Sequence, residues 1–97
     1  MSFIETAYKE LKAIDPNMTT DKFSTDWLNK CSSYYRANKA RGRDMTLHAM
    51  MCFLHNLGQR AQALRMNNNS QLLHERAAQY DQLLGICRVH VQKNLDI

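Results

Sequence analysis

His48, Cys52 and His55 stand at i, i+4 and i+7. On a helix this spacing puts an imidazole, a thiol and a second imidazole on one face, the donor types that hold zinc. Three ligands spread over two turns of one straight helix do not converge on one ion, and no local carboxylate completes the set. Cys87 and His90, at i and i+3, add ligands only by packing nearby. The expectation is no metal and no cofactor, with these side chains in a partly buried core or seam. No nucleophile–base pairing, glycine-rich phosphate loop or clustered carboxylates appear, so no enzyme activity is expected.

A different chemistry is concentrated between Lys30 and Arg43. Lys30, Arg36, Lys39, Arg41 and Arg43 fall within fourteen residues that contain no Asp or Glu. The 97-residue chain carries a formal +4, and outside this segment eight basic residues meet nine acidic ones. The positive excess is therefore local. Such a segment is either a solvated helix face or a surface for a polyanion such as nucleic acid.

The elements that position these residues read as helices. Hydrophobic residues make up 44% of the chain, and only three Gly and one Pro interrupt it, which favours an all-α fold over a turn-rich β fold. Ser2 and Glu5 form a capping box ahead of Ile4, Ala7, Tyr8, Leu11 and Ile14 at helical spacing. Asp15-Pro16-Asn17 ends this helix. Thr19 or Thr20 caps a second helix carrying Phe23, Trp27 and Leu28. After a break near Asn29, Ser32 or Ser33 caps a third, which Gly42 stops.

Asp44 or Thr46 starts a fourth helix, with Leu47, Met50, Met51, Leu54, Leu57, Ala61 and Leu64 at core spacing and Met45 just ahead of them. Gly58 either breaks it or only weakens it. Asn67 to Ser70 reads as a loop and cap. Leu73, Ala77, Tyr80, Leu84, Cys87 and Val91 then form a heptad seam, widened by Leu72, Leu83 and Ile86. A helix over 70–93 is roughly 36 Å long at ~1.5 Å per residue. Its apolar face needs a partner, either the fourth helix or the same helix of a second chain. We take the six seam residues as a dimer interface. Residues 1–66 then form a helix-turn-helix domain, and 67–97 a C-terminal helix of the same compact unit.

The stretch from Phe23 to Leu47 resembles the λ-repressor-like (Cro/C1-type) helix-turn-helix family, and the likeness extends over roughly residues 19–57. Phe23-Ser24 matches the start of the positioning helix, and Leu28-Asn29 the turn, where Asn replaces the usual Gly but tolerates left-handed geometry. Cys31-Ser32-Ser33 matches the entry to the recognition helix, Tyr35 its inward residue, and Asp44-Met45-Thr46-Leu47 the start of the next helix. Lys30 and Lys39 depart from the family pattern, which has an apolar and an acidic residue there. The Tyr34-Tyr35-x-x-x-Lys39-x-Arg41-Gly42-Arg43 run is also similar to small uncharacterised bacterial or phage helix-turn-helix proteins.

The resemblance implies a homodimeric, sequence-specific transcriptional regulator that binds double-stranded DNA. A recognition helix lies in the major groove with its first turn on the base edges. Ser33, Tyr34, Arg36 and Ala37 then face the DNA, with Ser32 beside them. Lys30, Lys39, Arg41 and Arg43 lie along the backbone. Trp27 and Tyr35 are expected in the core. The alternative is a helical protein-interaction module, an adaptor or inhibitor, on a helix-turn-helix scaffold that no longer binds DNA. No apolar run approaches the ~18 residues of a membrane span, and Met1-Ser2-Phe3-Ile4-Glu5 lacks the basic and apolar blocks of a signal peptide, so none is expected. Cys31, Cys52 and Cys87 are odd in number and widely spaced, which does not look like a disulfide framework. These features imply reduced thiols and a cytoplasmic location.

Overall fold

The computed structural model describes residues 2–66 and 71–95, and the side chains of 2–66 and 74–93. Its helices are α1 (Phe3–Ile14), α2 (Thr20–Lys22), α3 (Tyr34–Ala40), α4 (Leu47–Met66) and α5 (Gln71–Leu95), with a π-helical segment over Phe23–Trp27 continuing α2. No strand occurs among the described residues. The chain is all-α. It divides into two compact units, Met1–Phe53 and Leu54–Ile97. The division falls inside α4, not at the expected boundary after residue 66, because the second half of α4 groups with α5. The expected loop over 67–70 lies outside the described residues.

The first unit is built around aromatic rings drawn from α1, the π-helical segment, α3 and α4. Phe23 is fully buried, with its ring centroid 5.5 Å from Tyr8, 5.9 Å from Tyr35 and 5.6 Å from Phe53. Trp27 reaches Phe53 at 6.2 Å, and Tyr8 reaches Tyr35 at 4.9 Å. Tilted and edge-on pairs at these distances each add about 0.5–1.5 kcal/mol beyond the area they bury. Ile4, Ala7, Leu11 and Leu28 are buried as well. Trp27 and Tyr35 are thus core residues, as expected.

The ends of these helices are satisfied largely by distant residues. Ser2 occupies the cap position of α1, but its hydroxyl makes no hydrogen bond among the described residues. The Ser2–Glu5 capping box is therefore replaced by Asp44, whose carboxylate accepts from Phe3 N (2.9 Å) and Ile4 N (2.8 Å). The same carboxylate accepts from Met45 N at 2.8 Å. Asp44 does not start α4. Thr46 does, accepting from Ala49 N at 3.2 Å. A carboxylate at a helix start also meets the positive end of the helix dipole. Asp44→Ala is expected to destabilise the chain by about 1–2 kcal/mol, the size of a lost cap, with Asp44→Asn retaining part of it. Chemical denaturation checks this; equal midpoints for the native chain and Asp44→Ala would show that the tether carries no stability.

Thr19 caps α2 through Lys22 N at 3.2 Å. The hydroxyls of Ser24 and Thr25 donate back to the carbonyls of Thr20 (2.9 Å) and Asp21 (3.1 Å). Such back-bonding competes with the regular ladder and opens it. The helix widens here into the π segment, closed by Leu28 N donating to Phe23 O at 3.2 Å. Asn29 then takes a left-handed conformation, φ 55°, as its place in the turn requires. Lys30 N closes the turn on Ser24 O at 2.9 Å.

Ser24 also caps α3. Its buried hydroxyl accepts from Tyr35 N at 3.0 Å, whereas Ser33 makes no cap bond with its side chain. The cap expected from Ser32 or Ser33 is supplied across the turn, locking the two helices together. At its other end, α3 closes with Arg43 N on Asn38 O (2.9 Å) and Gly42 N on Lys39 O (3.3 Å). This Schellman pair needs the positive φ of Gly42, 66°.

In the second unit, Leu57 and Ala61 of α4 are buried, as are Ala77, Tyr80, Leu83, Leu84, Cys87 and Val91 of α5. Arg65 and Asp81 form an ion pair between the two helices. Gly58 does not break α4. Leu47 and Met51, which stand at core spacing, are 46% and 51% exposed, and Ile86, which widens the apolar stripe of α5, is 50% exposed. The helical stripe is narrower than the apolar sequence pattern suggests.

Candidate nucleic-acid interface

The turn and α3 carry the expected contact residues. At 3.6 residues per turn, Lys39, Arg36 and Ala40 span about 100° of the α3 circumference, and all three are exposed. Tyr35, which is buried, lies about 40° round the helix from Lys39. Arg41 and Arg43 follow on the exposed exit, and Ser32 and Ser33 are exposed at the entry. Ala37 is half-buried on the flank. Ser32, Ser33, Arg36, Lys39, Arg41 and Arg43 are thus all exposed, on the arc or at one of its two ends.

Two expected residues turn elsewhere. The Tyr34 hydroxyl accepts from Thr46 N at 3.1 Å, ahead of α4. Lys30 lies over the Tyr34 ring, 5.9 Å from its centroid, and its Nζ donates to His48 Nδ1 at 3.2 Å. An ammonium has no lone pair, so Nδ1 accepts and the imidazole proton sits on Nε2. That proton faces Cys52 Sγ at 3.8 Å. His48 and Cys52 are thereby engaged with the turn, while His55 is exposed. No group of three His, Cys, Asp or Glu side chains arranged to hold a metal occurs among the described residues.

Arg36 is held by one exposed ion pair, 3.4 Å to Asp21 of α2. Such a pair is worth about 0–1 kcal/mol and is screened by salt, so it gives way to a stronger anion. Cys31, also exposed, lies 3.6 Å from the Ser33 hydroxyl, and that hydrogen bond holds its thiol below the ordinary range. Cys87 is the reverse case: burial pushes its thiol up to about 12, which makes it inert.

Lys39 also lines a groove of about 380 Å³ between α1 and α3, together with Glu5, Tyr8, Lys9, Lys12 and Tyr35. Lys12 Nζ lies over the Tyr8 ring, 5.8 Å from its centroid. The charge excess over 30–43 gives no sign of Lys9 and Lys12, because Glu5 and Glu10 offset them along α1. Their i, i+3 spacing on the side away from Ile4, Ala7 and Leu11 is the signal that marks them.

The seam residues of α5 belong to the interior. Ala77, Tyr80, Leu84, Cys87 and Val91 are each at most 7% exposed within one chain, while the Leu73 side chain lies outside the described residues. Ile86 and Val89, 50% and 54% exposed, lie on a different face of the helix. No described helix is long and apolar enough to cross a membrane.

No curated protein and no solved structure matches the chain. Residues 4–96 match the model of a family of unknown function, DUF6626, and the chain belongs to that family.

Proposed function

We propose that this chain is a sequence-specific double-stranded-DNA-binding protein that works as a homodimeric transcriptional regulator, with α3 as its recognition helix. The observation that supports this most is the exposed arc of α3, where Arg36 and Lys39 continue into Arg41 and Arg43 with no acidic residue between Lys30 and Arg43. Arg36 reads a guanine edge, Ser32 and Ser33 meet phosphate or base, and the other cations meet phosphates. The left-handed Asn29 and the Ser24 bridge hold α2 and α3 as one rigid pair, which a reading helix needs. Lys30 and Tyr34 serve this surface by fixing the turn on α4.

The test is Arg36→Ala, assayed against a duplex selected by the native chain from a random pool. The expected result is a loss of about 1–3 kcal/mol of discrimination at one base pair, with non-specific binding little changed. Failure of the native chain to enrich any duplex removes the reading.

With the seam buried in one chain, dimer contact falls to the Ile86 and Val89 face of α5. The exposed aliphatic side chains there also favour the second reading, a face for a different protein. In sedimentation, the dimer reading expects Val89→Asp to halve the mass of the native species; a native chain already monomeric at working concentration favours the second.

A further inference from the structure

The groove between α1 and α3 combines two kinds of lining. Its floor is aromatic, with the Tyr8 and Tyr35 rings 4.9 Å apart and tilted by 48°. Three ammonium groups border it, from Lys9, Lys12 and Lys39, against one carboxylate, Glu5. Its volume of about 380 Å³ lies at the lower end of small-molecule sites, ~300–1,000 Å³. Lys9, Lys12 and Lys39 form no ion pair among the described residues. Their charge is available to a ligand.

We propose that this groove binds a small aromatic phosphate, with the ring against Tyr8 and the phosphate among Lys9, Lys12 and Lys39. The charges decide the class. Three lysines and Glu5 leave two positive charges, which a phosphate monoester matches at neutral pH (about −1.5 to −2) and a single carboxylate does not. The lysines are flexible and reach a compact anion from both walls. The Lys12 ammonium already lies over the Tyr8 ring, and moves to the phosphate when a ligand ring takes that place. Tyr35 presents a neutral phenol, since burial, then Glu5 and Tyr8, hold it above its ordinary range. The site stands without the DNA reading, because it draws on α1 and needs neither Arg36 nor the α3 exit.

The test is a nuclear magnetic resonance titration of the full chain with phenyl phosphate, with inorganic phosphate and phenol as separate arms. Saturable shifts centred on Tyr8, Lys12 and Lys39 are expected with phenyl phosphate, and binding about tenfold weaker or more with either fragment. Lys9→Gln/Lys12→Gln alters only exposed side chains, and is expected to weaken phenyl phosphate binding about tenfold or more. Arg41→Ala/Arg43→Ala should leave it unchanged. The proposal is overturned by the absence of saturation, by inorganic phosphate binding as tightly as phenyl phosphate, or by undiminished binding to the lysine double variant.

Discussion

Phe23→Ala is expected to remove about 3–5 kcal/mol of stability, the cost of truncating a fully buried phenylalanine. Phe23 is 0% exposed and its ring meets Tyr8, Phe53 and Tyr35, so truncation unpairs three rings at once. The cavity lies where α1, the π segment, α3 and α4 converge, and the flanking aromatics are too rigid to collapse into it. A domain of this size has roughly 5–15 kcal/mol in all, so the variant is expected to lose a large share of it. Urea unfolding followed by Trp27 fluorescence measures the change. Phe23→Leu, which keeps most of the volume, should lose much less. Equal losses for the two would mean that ring pairing and cavity volume are not what hold this unit together.

Arg41→Ala/Arg43→Ala is expected to weaken binding to every duplex alike, by about 1 kcal/mol per lost phosphate contact, or ~30-fold for the pair. Neither side chain is buried and neither is in an ion pair among the described residues. Thermal stability should therefore hold, and the change belongs to the ligand. The log–log salt slope should fall by about 1.8 per chain, since each neutralised phosphate contributes about 0.9. A loss confined to one sequence would instead make these arginines readers of bases. Calorimetry or anisotropy at several salt concentrations separates the two.

Local signals carried much of the fold. Pro16 ends α1, Thr19 caps α2, Gly42 closes α3 and Asn29 turns the chain, and each does so through its own backbone neighbourhood. Asp44 and Ser24 escaped because their partners lie 40 and 11 residues away for Ile4 and Tyr35 respectively. A nearby Ser offers a local cap in each case, and sequence spacing cannot tell that a distant group wins. The π segment escaped for a related reason: its cause is a pair of hydroxyls bonding backwards, which the apolar pattern does not register. Leu47, Met51 and Ile86 show the limit of periodicity, which marks a face but not its width.

The candidate surface was legible as a charge excess, but not in its arrangement. Arg36, Lys39, Arg41 and Arg43 remain outward, whereas Lys30 and Tyr34 are drawn to the start of α4 by His48 and Thr46 N. Those partners are 18 and 12 residues away. Lys9 and Lys12 join Lys39 only because α1 lies beside α3, a tertiary fact that no local spacing encodes.

The central claim, that α3 and its exit form a DNA-binding surface, is tested most directly by the affinity of the native chain for duplex DNA as salt is raised from 50 to 200 mM. Three phosphate-contacting cations per chain, Lys39, Arg41 and Arg43, predict a log–log slope of about −2.7, near −5.4 for a dimer with both surfaces engaged. A flat salt dependence, or no binding at the lowest salt, would contradict the account.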